Sequence, residues 1–356
     1  MSANEPLYMQ MREYLLELIA QNKNVPHYKL PSENQLAIKF GASRISSKHA
    51  FDTLEEEGLI FRQRGRGTFI ADGHRGIDLR PRRNLGDEED AIALIVPFIS
   101  TIFMSELIDG IQEELKAKGL HAVLFMTDNS QQREVKYLRM AQEQFKGILL
   151  FPGAYNKYHE EVLRLVLNRF PLVQIDRHLP GLDLSYVASD HCEGTYRAAQ
   201  LLFDRGHQRI GFVGHLIDHA SSVVERFKGF DQATRERDSA YPDYFKLNVA
   251  DSLENFNAMF LDYMRRAQPT AIITPSHLHG PMLMRALKEL GKDREVELML
   301  YDNEFTIAHP FLGYHPFIID QEPRKVGHAA AQLIYKLAYE NGKPQNIQLP
   351  ARIYQL

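Results

Sequence analysis

The hydrophobic positions along this chain change rhythm near residue 90. Before it, apolar residues recur at three- and four-residue spacing. Beyond it, short unbroken apolar runs alternate with helical stretches. Met11, Leu15, Leu18 and Ile19 share one face, which predicts an amphipathic helix over about 6–22. Two short helical patterns follow. Ser32 is placed to cap the first, Gln35 completes a capping box, and Gly41 stops it. Ser43 is the N-cap of the second, which runs from Arg44 to Glu57 and ends at Gly58. Ala50, Phe51 and Leu54 of that helix face a core. Its start carries Ser43, Arg44, Ser46, Ser47, Lys48 and His49, all hydrogen-bonding or cationic. Two β-prone runs, 59–61 and 68–70, flank the arginine- and glycine-rich turn 62–67 and predict a hairpin.

Residues 71–90 lose the pattern. They hold glycine, proline, the cluster Arg80, Arg82 and Arg83, and the acidic run 87–90, which reads as a linker. From Ala91 the apolar runs 91–96, 121–126, 147–151, 172–175, 209–214, 244–249, 270–274, 296–301 and 317–320 predict strands. Helical patterns lie between them at 105–118, 131–144, 157–169, 193–205, 220–237, 253–266 and 278–290, with a last one at 324–339. Continuous apolar strands separated by helices mean parallel sheets covered on both faces, the α/β class. So many units suit two sheets rather than one.

Two such lobes aim their strand ends at a shared crevice. The positions just past the strands hold Phe98 and Phe103, Gly153, Asp176 and Arg177, Ser222 and Arg226, Ser276 and His277, Asp302 and Asn303, then Asp320 and Gln321. Carboxylates and guanidinium groups bind hydroxyls, and an aromatic face covers the C–H side of a sugar ring, so the set suits a polyhydroxylated ligand. A helix-turn-helix lays its second helix in the major groove, and an arginine-tipped hairpin suits a minor groove or a phosphate backbone.

Charge supports the division. Residues 1–86 carry net +3, and the rest of the 356-residue chain carries −7. Cys192 is the lone cysteine, which excludes an internal disulfide and fits a reducing compartment. The first twenty residues lack the pattern of a signal peptide, and no apolar run reaches membrane-spanning length, so a cytoplasmic protein without membrane contact is expected. No nucleotide-binding glycine fingerprint, metal-ligand spacing or catalytic triad frame is present, so neither an enzyme nor a cofactor or metal is expected. His207 reads as a turn or packing residue. A constitutive architectural DNA binder would have no use for the polar strand exits.

LPSENQLA (30–37), Ser43-Arg44 and RGRGTFI (64–70) resemble the winged-helix domain of GntR-type bacterial transcription factors. The resemblance implies DNA contacts from Ser32, Glu33, Ser43, Arg44, Ser46 and Lys48, with wing contacts from Arg64, Gly65, Arg66 and Gly67. Lys48 stands where the family usually has arginine, which keeps the charge and loses the bidentate fork. VQIDR (173–177), GHQRIGFVGH (206–215), ERFKGF (225–230), TAIIT (270–274), LYDN (300–303) and IDQEPRKVG (319–327) are similar to the LacI/GalR effector domain, a fold shared with type I periplasmic sugar-binding proteins. That resemblance implies a two-lobed, doubly wound parallel α/β domain with ligand contacts at Phe103, Met104, Asp176, Arg177, Arg226, Asp302 and Gln321. Ser222 and Ser276 join the set from their strand-exit positions. Ser276-His277 replaces the usual Asn-Asp, so ligand identity does not carry across.

The expected organisation is a reader over 1–71, a linker over 72–90 and a sensor over 91–356, with lobe crossovers near 190, 304 and 345. The pairing resembles the arabinose-operon repressors of bacteria. It implies a homodimer on double-stranded operator DNA, with L-arabinose as the releasing monosaccharide. A regulator of another sugar or a nucleoside, with its effector acting as co-repressor, remains an alternative; a sugar-modifying enzyme is a lesser one.

Overall fold

The computed structural model describes residues 7–22, 28–56, 59–63, 67–70, 91–153, 160–179, 184–214, 220–249, 256–276, 279–302, 313 and 315–356. The chain divides into two compact units, residues 1–85 and 86–356. The expected linker and the wing tip Arg64–Arg66 lie outside the described residues, as do Gly58 and His277.

The first unit holds α1 (Leu7–Gln21), α2 (Glu33–Phe40), α3 (Arg44–Glu56) and the antiparallel hairpin β1 (Ile60–Gln63) and β2 (Gly67–Ile70). Met11, Leu15, Leu36, Phe51, Leu54 and Ile60 form its core. The capping box at Ser32 and Gln35 is present, and Gly41 ends α2 with φ +59°, a left-handed turn that glycine adopts at little cost. The Ser46 amide donates to Ser43 Oγ at 3.2 Å, which caps α3. Ser47 does not belong with the polar start of α3. It is fully buried, because positions 47, 51 and 54 share the core-facing stripe, whereas Lys48 and His49 are exposed. Arg62 on β1 pairs with Glu33 at 3.3 Å, Asp52 at 2.7 Å and Glu55 at 2.5 Å, tying the hairpin to α2 and α3.

The second unit contains two six-stranded sheets. Lobe 1 is built from β3 (Ala91–Val96), α4 (Ile102–Ala117), β4 (His121–Met126), α5 (Gln131–Gln144), β5 (Ile148–Leu150), α6 (Glu160–Leu167), β6 (Leu172–Ile175) and β7 (Ser185–Ser189). Lobe 2 follows with α7 (His191–Asp204), β8 (Ile210–Gly214), α8 (Ser221–Arg237), β9 (Lys246–Asn248), α9 (Phe256–Ala267), β10 (Ala271–Thr274), α10 (His279–Glu289), β11 (Glu297–Tyr301) and β12 (Phe317–Asp320). The chain then returns as α11 (Pro323–Tyr339), β13 (Asn346–Leu349) and β14 (Arg352–Gln355). The strand orders are β13-β7-β6-β5-β3-β4 and β14-β12-β11-β10-β8-β9. All pairs are parallel except β12–β14. Each order reverses beside the lobe's first strand, β3 or β8, which makes the switch-point crevice of doubly wound sheets.

The crossings correct the expected positions. The first falls at 190, between β7 and α7. The second is not near 304, because the apolar run 317–320 first adds β12 to lobe 2; the chain crosses at 321–322, and α11 packs in the lobe 1 core. The third is not near 345 but at 350–351, because β13 pairs with β7 before β14 joins β12. Strands β7, β13 and β14 were not expected as strands at all.

Helix pairs bracket the crossings. A Cβ on Gly110 of α4 would sit 2.2 Å from the Arg324 carbonyl of α11, and one on Gly229 of α8 would sit 2.0 Å from the Cys192 carbonyl of α7. Each contact lets two backbones touch, and each pair joins the helix after a switch-point strand to the helix after a crossing.

Candidate functional site

Asp176 and Asp302 occupy equivalent positions, one residue past β6 and β11. Both have left-handed backbones, at φ +61° and +60°. Their amides still bond to the neighbouring strands, Asp176 to Val187 O at 2.9 Å and Asp302 to Ile319 O at 3.1 Å. The ladder therefore pins each residue while its backbone turns sharply, a strained arrangement of the kind that collects at functional sites.

Between these aspartates runs a buried polar chain. Arg226, on the second turn of α8, donates through Nη1 to the Pro275 carbonyl at 2.6 Å and through Nη2 to Gln321 Oε1 at 2.8 Å. Its guanidinium lies 3.8 Å from the centre of the Tyr301 ring. Gln321 Nε2 donates to both carboxylate oxygens of Asp302, at 2.8 and 2.7 Å. On the other side of Arg226 stands His191, whose Nε2 is 3.3 Å from Asp176 Oδ1. The chain of contacts is thus Asp176–His191–Arg226–Gln321–Asp302, and it passes through the first two crossings.

Burial works on the charges in opposite senses. It alone would raise the Asp176 carboxyl, but the hydrogen bond from His191 and the nearby charges of Arg226 and Arg177 hold it below its usual value. Asp302 is pushed up to about 7, chiefly by burial, which Arg226 and Gln321 offset only in part. Burial and the nearby Arg226 cation lower Arg177 despite Asp176 beside it. Its Nε is 4.0 Å from Asp176 Oδ2 and has no hydrogen-bond partner among the described residues, and its guanidinium lies 5.3 Å from the Phe151 ring centre. Phe103 meets Phe151 edge-on at 6.4 Å.

The raised Asp302 pKa has a stability consequence. Its native value lies above that of the unfolded chain, so the native state holds this proton more tightly. The resulting stabilisation is complete at acid pH and is lost as pH rises from about 4 to about 7, on the order of 1.4 kcal/mol for each tenfold gain in proton affinity. Asp302→Asn removes that dependence. Denaturant midpoints measured between about pH 5 and 8 should show wild type losing ground to the variant as pH rises; parallel profiles would contradict it.

Of the expected ligand residues, the structure joins Arg226, Gln321 and Asp302 directly and Asp176 through His191, with Arg177 beside them and Phe103 reached through Phe151. Ser222 is buried one helical turn before Arg226, on the same face. Ser276 forms the turn beside Pro275 and is half-buried. Met104 is fully enclosed in the lobe 1 core. His207 bonds Thr270 and Glu297, so it serves packing as expected. His191, Tyr301 and the Pro275 carbonyl escaped sequence reasoning. The one available signal was an acidic residue and a histidine, Asp190 and His191, immediately after a polar β-prone run. Among the described residues no group of side chains could hold a metal ion, and no helix is long and apolar enough to cross a membrane.

Residues 7–70 match the gntR family of bacterial regulatory proteins, and residues 92–344 match the periplasmic binding protein domain. The arabinose metabolism transcriptional repressor of Halalkalibacterium halodurans is 27% identical over 86% of this chain and 85% of its own length. The protein of the same description from Geobacillus stearothermophilus is 24% identical over 85% and 83%. In fold, a LacI-family regulatory protein from Chloroflexus aggregans superposes with a TM-score of 0.64, at 20% identity, over 74% of this chain and 96% of its own. The chain therefore belongs to the periplasmic binding protein domain family and carries a gntR-family DNA-binding domain ahead of it, which makes it a transcriptional regulator and not an enzyme.

Proposed function

We propose that this regulator is a repressor of sugar-utilisation genes, released from its operator by a monosaccharide, L-arabinose. The observation that carries the sugar reading is the convergence of Asp176, Arg177, Arg226, Asp302 and Gln321 from both lobes, with a buried Arg177 Nε that has no acceptor among the described residues. A buried donor without an acceptor costs about 1–3 kcal/mol, and a ligand hydroxyl relieves it. The choice of L-arabinose rests on the two relatives described as arabinose metabolism repressors, each matched over more than four fifths of both chains.

In the reader, Ser32 is engaged in the cap of α2 and Glu33 in the Arg62 cluster, so duplex contact falls to the start of α3. Ser43, Arg44, Ser46 and Lys48 meet the major groove, and Arg64, Gly65, Arg66 and Gly67 of the wing meet the backbone or minor groove. Two readers are held by a homodimer. Edge strand β4 favours this, because it presents Leu124 and Met126, each 41% exposed, on an edge that pairs with no further strand among the described residues. Sugar closes the lobes, changes the spacing of the readers and weakens operator binding. Reciprocity then requires that operator weaken sugar binding by the same factor.

The test is a mobility-shift titration of operator fragments with and without L-arabinose, repeated with Arg44→Ala. Arg44→Ala should weaken operator binding about tenfold or more. L-arabinose should shift the wild-type titration to higher protein concentration. Operator affinity that ignores every pentose tried would defeat the inducer assignment.

A further inference from the structure

We infer that His191 is the positioning residue that keeps the two charged groups Asp176 and Arg226 apart and aimed at the ligand. The inference rests on the sugar-binding reading above and adds to it a residue that contributes no contact of its own to the ligand.

His191 is the first residue of α7, immediately after the first crossing, and its side chain is fully buried. Its Nδ1 lies 3.3 Å from both Nε and Nη2 of Arg226. A guanidinium has only donors, so Nδ1 must accept and carries no proton. The ring proton then sits on Nε2, which faces Oδ1 and the carbonyl oxygen of Asp176, both acceptors at 3.3 Å. One neutral tautomer satisfies both neighbours, and neither a ring protonated on Nδ1 nor an imidazolium does.

The ring thus spaces a cation from an anion. Without an acceptor at Nδ1, the Arg226 guanidinium loses its third anchor, leaving only Pro275 O and Gln321 Oε1. It is then free to turn onto a buried carboxylate. Such a collapse satisfies both charges internally and withdraws them from a ligand hydroxyl. The backbone of His191 is fixed independently, since its carbonyl accepts from Thr195 Oγ1 at 3.1 Å and from the Tyr301 hydroxyl at 3.2 Å. The crossing segment therefore carries the spacer at a set height between the lobes.

Two variants and one spectroscopic measurement on the full chain test this. His191→Leu keeps bulk and removes both hydrogen-bonding functions; calorimetry should show L-arabinose affinity reduced about tenfold or more. His191→Asn restores an acceptor near the Nδ1 position and should recover most of that loss. Nitrogen-15 NMR of the histidine rings in the free protein should show His191 as the Nε2-protonated tautomer at neutral pH. A ring protonated on Nδ1 or on both nitrogens overturns the inference even if a variant fails to fold. So does a His191→Leu protein that binds L-arabinose as tightly as wild type. If wild type itself binds neither L-arabinose nor D-ribose, D-xylose or D-galactose, the sugar reading fails, and the ring's tautomer still decides whether His191 is the spacer.

Discussion

Arg226→Met is expected to abolish sugar binding and to lower the unfolding free energy of the second unit by about 3–5 kcal/mol, the usual consequence of removing one partner from a buried charged network. Arg226 as a residue is 6% exposed, so little solvent is at hand to replace its guanidinium. Its loss strands the Pro275 carbonyl, Gln321 Oε1 and His191 Nδ1 at once, and it removes a stabilising positive charge from the neighbourhood of both aspartates. Asp302, already pushed up to about 7, then loses the largest influence holding it down. Lysine should not rescue the site, because a single ammonium cannot reach three acceptors in the plane of a guanidinium. Chemical denaturation and calorimetry with L-arabinose read the two effects. Operator binding without sugar should survive, since the first unit has a core of its own. A variant that still responds to L-arabinose would show that Arg226 is structural only.

The second large effect is expected at Gly229. A methyl group there would stand 2.0 Å from the Cys192 carbonyl and 3.0 Å from the Tyr196 amide, both backbone, so no side chain can yield. Gly229→Ala must therefore push α8 away from α7. Overpacking of this kind costs about 1–3 kcal/mol, and a rigid opponent places it at the upper end. The displacement also carries Arg226, one turn earlier on α8, away from His191 on α7, so sugar affinity should fall together with the thermal midpoint. Gly119→Asn is the contrast: Gly119 has a positive φ, +74°, which Gly229 lacks, but nothing lies within 4 Å, and its cost should stay near 1 kcal/mol. Equal midpoints for the two variants would refute the contact argument.

Much of this architecture is readable from residue order. Helix ends were marked by caps and glycines: Ser32, Gly41 and Ser43 occupy their expected places. Central strands such as β3 announced themselves because burial on both faces demands an unbroken apolar run. Three strands stayed hidden for the converse reason. SYVAS of β7 mixes serine and tyrosine into a buried position, and β13 and β14 are edge strands whose alternation is only four residues long. Two crossings were misplaced because β12, expected as a strand, and the hidden β13 each keep the chain in a sheet past the place where the crossing was expected. The aspartates, arginines and Gln321 were legible as polar residues past strand ends. His191 was not, because a histidine opening a helix looks the same whether it meets solvent or is wedged between an arginine and an aspartate. Met104, which the resemblance placed among the ligand contacts, is turned by helical geometry into the lobe 1 core.

Lobe 1 is assembled from two distant stretches of the gene's message. Its sheet and its α4–α11 packing require residues 323–349, whereas its other eight elements are all synthesised by residue 189, before lobe 2 begins. While a ribosome makes lobe 2, the groove at Gly110 and the free edge of β7 wait uncovered, a long-range closure that slows folding and invites chaperones. A stop codon anywhere between about 90 and 349 would accordingly release a polypeptide with its first 70 residues able to fold and both sensor sheets short of a strand.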